Sequence, residues 1–182
     1  MCAASKDQVG MDEQAFDAFY AGSVGRLIGQ LYAMIGDRAE AQDVVQEAFV
    51  RAWERRTALD KDGAPEAWVR TVAYRLAVSR WRRVRTSLTF ARRQGPPPDV
   101  PPPDDHHVLL VAALKQIPAA QRRVIVLHHL CDLEVKQVAE ETGSPVGTVK
   151  AQLSRGRAAL ARILADTELD PRAGRVSEVE RG

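Results

Sequence analysis

The sequence predicts an all-α protein of two small helical domains joined by a proline-rich linker, the second domain containing a helix-turn-helix. Three observations predict it. Apolar residues recur at three- and four-residue steps on either side of residues 94–105, the spacing of one helical face. No segment sustains the alternation of a half-buried strand. Between the helical stretches, Gln94 to Asp105 holds six prolines and three acids; proline has no N–H for a ladder, and such a run favours extended polyproline backbone. The expected organisation is a first domain over 10–93, an acidic linker over 94–105, a second domain over 106–165 and a charged, aperiodic tail over 166–182.

In the first domain, Phe16, Phe19, Tyr20, Val24, Leu27, Ile28, Leu31, Tyr32 and Ile35 form one helical stripe that Gly36 ends. Asp37, with Glu40 three residues on, starts a second helix with Val45, Ala48, Phe49, Ala52 and Trp53 inward. Thr57 to Ala64 shows no periodicity. Pro65 and Glu66 open a third helix with Trp68, Val69, Val72, Ala73 and Leu76 inward and arginine on most of its remaining surface.

In the second domain, a short apolar helix over Val108–Ile117 stops at Pro118, and Val124, Ile125, Leu127 and Leu130 belong to the next. Leu133 to Thr142 forms another, with Val135, Val138 and Ala139 inward. Gly143 supplies a left-handed position, Ser144 caps and Pro145 starts the last helix, with Val146, Val149, Leu153, Leu160 and Ile163 inward. Two helices joined by a glycine-containing turn, the second basic, make the helix-turn-helix.

Composition narrows the function classes. No apolar run approaches the ~18 residues of a membrane span, and the start of the chain lacks the apolar core of a secretion signal, so the expected location is cytoplasmic. Cys2 and Cys131 form no disulfide or zinc pattern. The net charge of +2 conceals strong segregation. Residues 1–66 carry 7 Lys/Arg and 12 Asp/Glu, 67–93 carry 8 and 0, 94–107 carry 0 and 3, 108–165 carry 8 and 4, and 166–182 carry 3 and 5. Two separated basic surfaces are the footprint of polyanion binding at two places.

On the last helix, Thr148, Ala151, Ser154, Arg155, Ala158 and Arg162 lie opposite the apolar set. The small Ala151 and Ser154 let the backbone approach base edges, Arg155 can grip a guanine bidentately, and Lys150 and Arg157 flank the face where phosphates lie. A solvated basic helix is the bland alternative. On the third helix, Arg70, Arg75, Arg80, Arg82, Arg83 and Arg85 surround Trp81, with Tyr74 close by; cations that hold a backbone and aromatic rings that stack on bases suit an opened single strand. Trp68, on the inward stripe, reads as core, and for Trp81 core and strand contact are evenly matched. On the second helix, Glu40, Asp43, Glu47 and Glu54 form an acidic stripe, which fits a basic protein surface better than DNA, or an ordinary solvated face.

These segments resemble the two conserved domains of the extracytoplasmic-function (ECF) group of the sigma-70 family of bacterial RNA polymerase sigma factors, over about residues 13–165. Asp43-Val44-Val45-Gln46-Glu47-Ala48-Phe49-Val50-Arg51-Ala52-Trp53 resembles the segment that docks on the beta-prime clamp helices of core polymerase, which implies Asp43, Gln46 and Glu47 as polymerase contacts. Ala67-Trp68-Val69-Arg70-Thr71-Val72-Ala73 through Arg82-Arg83 resembles the helix that melts and holds the minus-ten element, implying Arg70, Tyr74, Arg75, Arg80, Trp81, Arg82 and Arg83. Ile117-Pro118-Ala119-Ala120-Gln121-Arg122 and Gly147-Thr148-Val149-Lys150 through Leu153-Ser154-Arg155 resemble the domain that binds the beta-flap tip and reads the minus-thirty-five element, implying Thr148, Lys150, Ala151, Gln152, Ser154, Arg155 and Arg157.

The chain departs from the common pattern at Arg75 (usually Asn), Ser79 (Asp), Gln152 (Arg) and Gly156 (Ala), so no promoter sequence is carried over. The resemblance also allows an anti-sigma protein as a partner, and it implies no cofactor. The rival readings are a helix-turn-helix operator binder that never meets polymerase, and a helical adaptor for an acidic protein. Neither uses the arginine and tryptophan helix together with the acidic stripe. His128 and Cys131 share a face but lack further ligands nearby, so packing is expected there and not a metal. No acid-base or nucleophile constellation appears, so catalysis is not expected.

Overall fold

The computed structural model describes residues 11–59, 63–87 and 105–169. Among these residues all regular structure is helical, and the chain divides into two compact units that part at residue 101. The expected linker lies outside the described residues up to Asp105, as do Cys2 and the tail beyond Leu169.

In the first unit, α1 (Glu13–Ile35) starts where Asp12 Oδ1 accepts the Ala15 N–H at 2.8 Å and ends at Gly36, whose N–H bonds Tyr32 O. Helix α2 (Arg38–Glu54) starts the same way, Asp37 Oδ1 accepting from Glu40 N at 2.9 Å. Each carboxylate satisfies an N–H that the helix itself leaves unpaired. The aperiodic stretch after α2 holds a four-residue helix, α3 (Arg56–Leu59). Periodicity cannot register one turn, but burial of Leu59 (1% exposed) and the Arg56 guanidinium over the Trp53 ring at 4.1 Å fix it. Pro65 then opens α4 (Pro65–Ser87). Leu27 and Leu31 of α1, Ala41, Val44, Val45, Ala48 and Ala52 of α2, and Val69 and Ala73 of α4 are fully buried together. Each buried leucine contributes about 1.5–3 kcal/mol. An aromatic group closes one side, with Phe16 edge-on to Trp53 (5.1 Å) and Tyr20 edge-on to Phe49 (4.9 Å).

In the second unit, α5 (Asp105–Lys115) is followed by α6 (Ala119–Ile125), which runs on into a π-helical turn over Val126–Leu130. Helix α7 (Val135–Thr142) starts two residues later than the sequence predicts, because Glu134 is extended and caps it, its N–H donating to Gln137 Oε1 at 2.8 Å, while the Leu133 carbonyl before it accepts from His128 Nδ1 at 2.7 Å. Helix α8 (Val146–Leu169) starts one residue late, with Pro145 O accepting the Val149 N–H, and continues four residues past the expected domain end. Gly143 does adopt the left-handed conformation (φ 66°), which reverses the chain between α7 and α8 without a Cβ clash. Val149 and Leu153 are buried as expected, whereas Val146, expected inward, is 40% exposed at the helix start.

Gly156 is a packing device. A Cβ there would lie 2.5 Å from Ile125 Cδ1 and 3.3 Å from Gln121 Cβ. The missing side chain lets α8 press against α6, which offsets the ~1 kcal/mol that glycine costs a helix interior relative to alanine. Gly156→Leu should therefore destabilise the protein by about 1–3 kcal/mol through overpacking. Urea denaturation checks this; unchanged stability would show that α6 and α8 have room to spare.

Candidate nucleic-acid and polymerase interfaces

On α8, Val149, Leu153 and Gly156 face the interior, and Gly147, Ser154 and Ala158 are exposed. At ~100° per residue, Gly147, Ala151, Ser154 and Ala158 form the middle of the outward face, with cations on both shoulders. Lys150 and Arg157 line a shallow groove with Val135 of α7. Arg155 and Arg162 line a wider groove of about 690 Å³ with Gln116, Pro118 and Gln121. Arg155 thus stands on the shoulder toward the α5–α6 corner, not at the centre of the face. Thr148 is exposed near it in angle, but Gln152 is half-buried on the core side, ~60° from Val149. Its amide is therefore poorly placed for the outward reading.

On α4 the expected strand-binding residues separate into three groups. Arg75, Trp81, Arg82 and Arg83 are exposed, Trp81 at 59%, which settles its even balance against a core role. Tyr74 is half-buried against the core, and the Arg85 side chain lies outside the described residues. Arg70 is a correction: it is only 4% exposed, its Nη1 donating to Gln30 Oε1 at 3.2 Å with Glu66 Oε1 at 3.7 Å. Arg26 grips the same Glu66 through two bonds, 2.6 and 3.1 Å. A buried guanidinium compensated in this way ties α1 to α4 and is poorly placed to meet a strand. Glu66 stands one residue before the acid-free window of 67–93, which is why charge counting alone placed Arg70 with the free cations.

Arg80 forms the third group. Its Nη2 lies 2.5 Å from Glu47 Oε2 and its Nη1 3.4 Å from Glu40 Oε1, so it faces α2. Glu47 also receives Arg51 Nη2 at 2.5 Å. The Arg80 hydrogen bond holds the Glu47 carboxyl below its ordinary range, whereas burial pushes Glu40, with its longer bond, above. The acidic stripe is therefore partly neutralised within the chain. Asp43 and Glu54 of the stripe are exposed, as are Gln46 and, at 61%, Val50. Val50 was missed in the sequence. Its signal was an apolar residue out of phase with Val45, Phe49 and Ala52, on the face that carries Asp43 and Gln46.

His128 spends Nδ1 on the turn before α7 and stacks edge-on to His129 at 4.7 Å. Burial, then the neighbouring His128 and Arg157, hold His129 below its ordinary pKa. Cys131 is half-buried and in no disulfide. Among the described residues no three His, Cys, Asp or Glu side chains gather as a metal site.

A polarised first unit and a helix-turn-helix second unit on one chain agree with the sequence relatives. The ECF RNA polymerase sigma factor SigW of Bacillus subtilis (strain 168) is 30% identical over 151 residues, covering 74% of this chain and 81% of that protein. The chain belongs to the ECF sigma factors. The family models for sigma-70 region 2 and sigma-70 region 4 match residues 19–86 and 107–160. The RNA polymerase sigma-E factor of Streptomyces coelicolor is 27% identical over 150 residues, covering 81% of this chain and 85% of its own. The fold is that of the sigma factor RpoE solved in complex with the anti-sigma factor NepR from Bartonella quintana, with a TM-score of 0.66, 23% identity, and coverage of 84% of this chain and 98% of that one. As an ECF sigma factor the protein binds core RNA polymerase and promoter DNA and acts in transcription initiation. No described helix is long and apolar enough to cross a membrane.

The Arg70 correction is testable. Arg70→Ala should destabilise the protein by about 1–3 kcal/mol, because Gln30 and Glu66 lose a buried partner, and should leave single-strand affinity per folded molecule unchanged. Thermal denaturation beside a strand-binding titration reads both; a stable variant with weakened strand binding would return Arg70 to the DNA face.

Proposed function

We propose that this sigma factor divides initiation among three faces. The exposed side of α2, with Asp43, Gln46 and Glu47, docks on the beta-prime clamp helices of core polymerase. The distal part of α4 holds the non-paired minus-ten strand, Trp81 stacking on a base and Arg75, Arg82 and Arg83 holding phosphates. Helix α8 enters the major groove of the minus-thirty-five element, Ala151 and Ser154 letting the backbone approach, Thr148 and Arg155 toward base edges, Lys150 and Arg157 toward phosphates. The second unit also meets the beta-flap tip.

The observation that carries this reading is Trp81, 59% exposed on a helix whose neighbouring positions are arginine. A ring this exposed, with arginines before and after it, offers an unstacked base a face to stack on and its phosphates cations to meet. The chemistry belongs to the polymerase, and the sigma factor acts by binding. It works in the cytoplasm with the polymerase. An anti-sigma protein is a further partner, as for the Bartonella protein whose fold it shares.

Trp81→Ala combined with Arg82→Ala and Arg83→Ala should leave holoenzyme assembly and upstream duplex binding intact and suppress strand opening. Permanganate reactivity of minus-ten thymines measures it, and normal opening by assembled holoenzyme contradicts the assignment. On α8, Arg155→Ala should relax selectivity at one upstream base pair at a cost of about 1–3 kcal/mol, whereas Lys150→Ala should weaken all sequences alike and lower the salt slope by about one. Identical effects of the two substitutions on every promoter variant would reverse these roles.

A further inference from the structure

Arg80 stands in the arginine-rich helix yet is turned toward α2. Glu40 and Glu47 are seven residues apart, two turns along one face of α2, and the planar guanidinium spans them, one Nη to each carboxylate. All three side chains are about two-thirds covered, at 32%, 32% and 35% exposure. Arg51 takes the other oxygen of Glu47 from within α2. Glu47 is thus held at both oxygens by cations from two helices, which fixes its rotamer beside the exposed Asp43, Gln46 and Val50.

We infer that Arg80 is a positioning residue of the polymerase-docking face and not a strand-holding cation. The inference rests on the reading of α2 as that face. Two physical reasons support it. A phosphate competing for Arg80 must displace two carboxylates already in hydrogen-bonding range, and the exchange leaves Glu40, Asp43 and Glu47 facing one another with less compensation. Without Arg80 the Glu47 side chain regains its rotamers, so a partner that needs it in one place must freeze it again on binding.

The test uses the full-length protein, purified core polymerase and a promoter fragment. Arg80→Ala should bind core polymerase roughly tenfold more weakly, with its thermal midpoint close to that of the unaltered chain. At saturating sigma factor, when every polymerase is occupied, permanganate reactivity of the minus-ten thymines should equal that of the unaltered protein. Arg80→Lys, which keeps the charge but reaches one carboxylate at a time, should fall between. If Arg80→Ala fails to fold, Arg80→Lys alone decides: weakened core binding with full opening at saturation supports the inference.

Three results would overturn it. One is unchanged core affinity with reduced opening at saturation, which makes Arg80 a strand cation. Another is core affinity falling only in proportion to the unfolded fraction, which makes it a plain structural brace. The third is unchanged core affinity and unchanged opening together. The underlying reading fails separately, if Asp43→Lys binds core polymerase as the unaltered chain does.

Discussion

The buried faces of α2 and α4 interleave alanines, Ala41, Ala48 and Ala52 on one helix and Ala73 and Ala77 on the other, with larger side chains such as Val44, Phe49, Val69 and Leu76. Short side chains let the two backbones approach closely, and this packing sets what the first unit can present. The apolar stripe on α4 is narrow, and outside it the helix carries six arginines, four of them at positions 80, 82, 83 and 85. The stripe ends at Ala77; Arg80 then crosses to the carboxylates of α2, and Trp81 through Val84 are all exposed. The core thus fixes the first part of α4 and leaves the later turns available to a partner, in a register dictated by which alanines are buried.

The second unit reaches a similar end by other means. Helix α8 is seated by Gly156 against Ile125 and Gln121, and by Val149 and Leu153 in the interior. The turn that aims it depends on Gly143 and on Arg123 of α6, whose Nη2 donates to the Glu141 carbonyl at 3.2 Å at the end of α7. The outward face is then built from residues too small to obstruct a close approach, with cations on each shoulder. On the proposed reading, a helix made in this way meets DNA by position as much as by side-chain chemistry, since the backbone sits near the base edges only if the turn holds its angle.

What could be read from the sequence is what local chemistry determines. The Asp37 cap, Gly143, and the inward stripes of Leu27 and Leu31 or Val149 and Leu153 depend on neighbours within four residues, and all appear as expected, whereas the Glu40 carboxylate, expected to close a capping box, goes to Arg80 instead. The departures are long-range. Arg70 is buried because Gln30, forty residues away, accepts a hydrogen bond from it, and Arg80 turns to α2 because Glu47, thirty-three residues away, lies across the helix packing. An arginine in an acid-free window looks the same whether its partner is solvent, phosphate or a carboxylate from another helix. Gln152 shows a milder form of this: its chemistry suits a base edge, but the packing of α8 turns it toward the core. Conversely, Trp81 could not be assigned from periodicity, because the helix outruns its core there.

The account stands or falls on whether this chain directs a polymerase to open a promoter. Run-off transcription with purified core polymerase, comparing a fully duplex promoter with the same promoter carrying a pre-opened minus-ten segment, measures this directly. The account predicts that core polymerase with this protein initiates at one defined start site on the duplex, and that core polymerase alone does not. Duplex promoter binding by the protein without any sigma-dependent start site, on either template, would contradict it.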